Sequence, residues 1–98
     1  MAKTKSADLT IKVERRSEAE LATLGVSRWP IWEHDPARFP WTYDSEETCY
    51  FLEGDVTVTP EAGPPLVLGP GDFVTFPVGL SCTWEIRKKV RKHYRWGS

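Results

Sequence analysis

The sequence predicts an all-β domain, a sandwich or small barrel, with one short helix near its N-terminus. Three observations predict it. Apolar and polar residues alternate in short runs, as at Val56 and Val58 in "GDVTVTP", which is how a half-buried strand reads. Pro- and Gly-rich turn signals separate these runs, in "GPPLVLGPGD" and "FPVG", at the spacing of a many-stranded β-domain. Helix punctuation occurs once, in "SEAELATLG".

Taken in order, "DLTIKVER" (Asp8–Arg15) alternates and reads as a strand. Ser17 followed by Glu20 matches a capping box, and Gly25 is a natural stop, so a helix of about two turns is expected over Ser17–Leu24. "RWPIWE" (Arg28–Glu33) is aromatic and interrupted by Pro30, which suits an edge or irregular strand. "RFPWTYD" (Arg38–Asp44) is another strand. "ETCYFLEGDVTVTP" (Glu47–Pro60) reads as a hairpin turning at Glu53-Gly54-Asp55. A short strand lies within Gly63–Asp72, two more within Phe73–Ile86 with a turn at Pro77-Val78-Gly79, and "VRKHYRW" (Val90–Trp96) closes the chain. Eight or nine short strands result.

Composition narrows the class. The 98 residues fit one domain. A hydrophobic share of 40% and five Trp residues supply a core. Thirteen basic against fourteen acidic residues leave a net charge of -1, no footprint for nucleic acid. The late run "RKKVRKHYRW" (Arg87–Trp96) reads as the solvated face of strands, with an anion patch as the other reading. No apolar run reaches membrane-span length, and the start "MAKTKSADLT" has no hydrophobic core of a signal peptide, so a cytoplasmic protein is expected. Cys49 and Cys82 are expected as free thiols.

Two stretches carry a resemblance. In "ETCYFLEG", Glu47 is followed after six residues by Gly54. In "GDFVTFPVGLSC", Gly71 is followed after five residues by Pro77-Val78-Gly79 and, two residues on, by Cys82. These resemble the two motifs of the cupin superfamily: His-x-His, three or four residues, Glu, six residues, Gly; and Gly, five residues, Pro-x-Gly, two residues, His. The segments "WPIWE" and "CTWEIRKKVRKHY" look like small single-domain cupins of the ureidoglycine aminohydrolase-like subgroup. The resemblance implies a cupin-type double-stranded β-helix, or jelly-roll, barrel spanning residues 1–98. Its core would run over about residues 28–96, after an N-terminal strand and short helix in residues 1–27. It also implies a homodimer, for which the aromatic strand Trp29–Trp32 is the candidate edge.

The resemblance places the three motif histidines on Trp41, Tyr43 and Cys82, so that of the four usual metal ligands only Glu47 remains. No metal and no other cofactor are therefore expected, since zinc requires three or four N, O or S donors. His34 and His93, set among charged residues, are expected on the surface.

Strand parity puts Glu47, Cys49 and Phe51 on one face, Leu80, Cys82 and Trp84 on another, and Trp41 with Tyr43. If these faces line the barrel, Glu47, Tyr43 and Cys82 are the candidate catalytic residues, and Trp41, Cys49 and Trp84 the candidate ligand contacts. Glu47 would be an acid or base in an apolar pocket, or a carboxylate tied into the structure. Cys82 would be a nucleophile, or a small buried hydrophobe. The aromatic rings would stack on a flat ligand, or fill the core. Two functions stay open. One is a pocket for a small polar, nitrogen-containing metabolite, extending to a lyase, isomerase or hydrolase. The other is a non-catalytic binding or scaffold protein with a plugged barrel.

Overall fold

A computed structural model describes residues 9–97. Strand β1 (Lys12–Glu14) precedes helix α1 (Glu18–Leu24) and a 3₁₀ turn (Val26–Arg28). Six strands follow: β2 (Ile31–His34), β3 (Ala37–Thr42), β4 (Glu47–Pro60), β5 (Leu66–Leu68), β6 (Phe73–Phe76) and β7 (Ser81–Trp96). All strand pairings are antiparallel. The strand expected over residues 8–15 is thus confined to Lys12–Glu14, and Asp8 lies outside the described residues. Among the described residues, no helix is long and apolar enough to cross a membrane.

The helix forms as its punctuation requires. Ser17 Oγ accepts from the Glu20 amide at 3.1 Å, and Glu20 Oε1 accepts from the Ser17 amide at 2.9 Å. Both bonds satisfy amides that a helix start otherwise leaves without partners. Gly25 ends the helix in the left-handed region, at φ 72°.

The expected hairpin at Glu53-Gly54-Asp55 is not a turn. Residues 47–60 are one continuous strand, paired along its length with the equally continuous β7. Register shifts between Phe51 and Val56 mark bulges there, which bend a strand without reversing it. The close approach of β7 explains the glycine. A Cβ on Gly54 would stand 2.8 Å from Val90 Cα, and the residue adopts φ 119°. Likewise "VRKHYRW" is the second half of β7 rather than a separate strand. Two long strands thus replace four short ones.

This pair organises the whole sheet. The first half of β4 pairs with β6, and the second half with β5. The first half of β7 pairs with β3, and the second half with β2. Bent at the bulges, the sheet wraps a core of Tyr43, Phe51, Val56, Val58, Leu68, Val74, Phe76, Trp84, Ile86 and Val90, all buried. The turn at Pro77-Val78-Gly79 forms where expected, and the amide of Gly79 donates to Tyr43 O at 2.7 Å.

Candidate functional site

Strand parity operates as expected on β4 and the start of β7. Glu47, Cys49 and Phe51 all face inward and are buried, as are Leu80, Cys82 and Trp84. Trp41 and Tyr43 separate. Tyr43 is buried, while Trp41 stands 45% exposed at the rim, its ring 6.3 Å from that of Tyr43.

The inward groups surround a cavity of about 140 Å³, lined by Glu47, Lys92 and Tyr43 and walled by rings that include Trp32, Trp41 and Trp84. An apolar cavity of about this size accommodates a benzene-sized molecule. Its walls are fixed by ring packing. Tyr43 lies stacked on Phe76 at 4.9 Å, and its hydroxyl accepts from Trp84 Nε1 at 3.2 Å. Trp32 meets Trp84 edge-on at 5.9 Å. Trp84 therefore forms a wall of the cavity, and Trp41 its rim.

The polar floor contains a residue that the charge pattern concealed. Lys92 is only 3% exposed and points inward with its ammonium 2.8 Å from Glu47 Oε2 and 3.0 Å from Cys49 Sγ. The Cys49 thiol donates to the same carboxylate oxygen at 3.2 Å. The expectation of a wholly solvated basic run is thus corrected at Lys92. It is corrected again at His93, which is buried on the opposite face with Nδ1 donating to Trp29 O at 2.9 Å. Arg91 does face outward, where it pairs with Glu33 at 2.7 Å.

Electrostatics define what the floor can do. Burial works against the Lys92 charge, but the negative charge of its neighbours, Glu47 foremost at neutral pH, together with its hydrogen bonds, holds the ammonium above its ordinary range. Burial pushes the Cys49 thiol up to about 12, against the pull of Lys92 and with Glu47 adding to the rise. Burial likewise pushes Cys82 up to about 11. Both thiols stay protonated at neutral pH and are poor nucleophiles. Tyr43 is raised by burial first and by the Glu47 charge second, so it stays a phenol able to donate.

Both hydrogen bonds to the Glu47 side chain fall on Oε2. Oε1 accepts none among the described residues, and the two hydrogen bonds of Lys92 Nζ there leave a third N–H for the cavity. The floor therefore offers one acceptor and one or two donors within an aromatic enclosure. Of the residues singled out in the sequence, Glu47, Tyr43, Trp41 and Trp84 line this cavity. Cys49 lies beneath it, bonded to Glu47 and Lys92. Cys82 is removed from it, its thiol directed at Trp41 O at 3.7 Å.

A divalent metal does not fit these groups. Among the described residues, no cluster of three or more His, Cys, Asp or Glu side chains could hold one. Glu47 is the single carboxylate on the floor and already pairs with an ammonium, Trp41 has no lone pair to give, and the Tyr43 oxygen is engaged by Trp84.

Residues 21–94 match the family described as the EutQ-like cupin domain. Among solved structures, a DUF861 family protein from Thermotoga maritima is 48% identical, with a TM-score of 0.86 over 89% of this chain and 99% of that one. A protein described as ethanolamine utilization protein Q from Salmonella typhimurium is 31% identical, with a TM-score of 0.62 over 68% of this chain and 54% of that one. The EutQ protein of Clostridium difficile, at 19% identity and a TM-score of 0.62 over 68% of this chain and 52% of that one, shares the fold. The chain thus spans about half the length of these two EutQ proteins. No curated protein matches it.

Proposed function

The chain belongs to the EutQ-like cupin family, and on that premise we propose that it binds a small, polar, nitrogen-containing metabolite on the floor of the barrel cavity. The observation that carries this reading is the Glu47–Lys92 pair. A buried carboxylate with one oxygen left unbonded, beside an ammonium with a spare proton, suits a ligand that presents a donor next to an acceptor. The aromatic walls suit a compact, partly flat molecule of about benzene size. Ureides, the class implied by resemblance to ureidoglycine aminohydrolases, meet both requirements. So do small amides and amino alcohols, and the Salmonella relative is described by its part in ethanolamine utilization.

A second reading, acid–base turnover, is favoured by the Tyr43 phenol on the same cavity as Glu47. Glu47 would move the proton and Tyr43 would donate to the ligand. Cys82 has no part in this reading, since its thiol stays protonated and lies off the cavity.

Calorimetric titration with a panel of ureides, purine breakdown products, small amides and ethanolamine tests the proposal. A binder should emerge whose affinity falls at least about tenfold, or about 1.4 kcal/mol, in Glu47→Gln and in Trp41→Ala. A binder indifferent to both substitutions, but weakened by Arg91→Ala, would place recognition on the outer face and overturn the reading.

A further inference from the structure

We infer that Lys92 is the resident cation of this barrel, a tethered ammonium standing where the fold otherwise places a divalent metal. The inference rests on the packing around Nζ and is independent of any ligand. Glu47 is the one residue of the two cupin motifs that matches their usual metal ligands, and its Oε2 bonds to Nζ at 2.8 Å. Cys49, whose sulfur is a soft metal-type donor, places Sγ 3.0 Å from the same nitrogen. Nζ also lies 5.0 Å from the Trp84 ring centroid, 5.1 Å from Trp32, and 6.0 Å from both Phe51 and Phe76.

Four ring faces around a cation form a favourable enclosure for an ammonium. They offer no lone pairs to a metal ion, which requires N, O or S donors. A dication at Glu47 would also meet the ammonium at hydrogen-bond distance. The losses at Trp41, Tyr43 and Cys82 and the presence of Lys92 thus belong together. The imidazoles are gone, and the charge they would have held is supplied by the chain.

The consequence is a cation that no chelator can remove and whose third N–H is available to polarise an oxygen acceptor in the cavity. The test uses metal-stripped protein and cobalt(II) as the probe. Wild type should show no thiolate-to-cobalt charge-transfer absorption, and nitrogen-15 NMR should show a slowly exchanging ammonium signal from Lys92. In Lys92→Ala, propylammonium matches the deleted atoms. It should raise the depressed Tm by several degrees, whereas propanol at equal concentration should not. One equivalent of cobalt bound by wild type through Cys49, a neutral-amine signal from Lys92, or equal rescue by propanol would each overturn the inference. The wild-type measurements decide the matter even where Lys92→Ala fails to fold.

Discussion

Lys92 Nζ lies 2.8 Å from Glu47 Oε2, and both side chains are almost wholly withdrawn from solvent. A pair of this kind contributes little net stability compared with an apolar substitute, but half of it is costly to leave behind. Lys92→Met should therefore destabilise the fold by about 3–5 kcal/mol. Glu47→Gln, which keeps an oxygen acceptor for the ammonium, should cost about 1–3 kcal/mol. Combining the two should cost less than their sum, because neither variant then strands a charge. Urea denaturation of the four proteins measures this coupling.

Alkaline stability should be lost over a defined window. The folded state raises the thiols of Cys49 and Cys82 from 9.0 to about 12 and about 11, and raises Tyr43 and Lys92 as well. Above roughly pH 9 the unfolded chain releases thiol protons that the folded chain keeps. The unfolded state then binds fewer protons, so unfolding free energy falls with rising pH, by up to about 1.4 kcal/mol per unit for each group. The contribution is fully present below pH 9 and is lost as pH rises through about 11 to 12. Cys49→Ala with Cys82→Ala should flatten the decline between pH 9 and 11, as read by urea midpoints across that range.

Gly54 is fixed by the bulge. Gly54→Ala places a methyl 2.8 Å from Val90 Cα at φ 119°, where only glycine sits without strain. The expected cost is about 3 kcal/mol, seen as a lower urea midpoint. By contrast, Gly25→Ala, also at positive φ but with open space around it, should cost about 1 kcal/mol.

The helix cap gives a smaller effect. Ser17→Ala removes the acceptor of the Glu20 amide, and a loss of about 1 kcal/mol is expected. Ser17→Asp, which restores an acceptor at a helix N-terminus, should recover most of it.

Local rules made much of this fold legible. Ser17, Glu20 and Gly25 announce the helix because capping is chemistry between near neighbours. Pro77 and Gly79 announce their turn for the same reason. Gly54 misleads, since a glycine between two alternating runs looks the same whether it reverses a strand or admits a neighbour. Only the close approach of Val90, 36 positions away in the chain, distinguishes the two. The site was half legible. Parity on β4 placed Glu47 and Cys49 inward, and the turn grammar placed Trp84. Lys92 was concealed by the charges around it, although Val90, Lys92, Tyr94 and Trp96 form an alternating series in which it is the single charged member. His93 blurs that series, because the segment preceding β2 covers it on the outer face, where its ring donates to Trp29 O. Trp32 lines the cavity from an edge strand whose register with Lys92 is set by pairing with β7, a long-range contact that no local pattern shows.

The most direct test of a ligand site on the Glu47–Lys92 floor is NMR observation of both groups during titration with the tightest binder of the panel. The carboxyl carbon of Glu47 and the ammonium nitrogen of Lys92 should shift together and saturably, with the Kd found by calorimetry. Unmoved Glu47 and Lys92 signals, with binding registered instead at Arg91 and its outward neighbours, would contradict it.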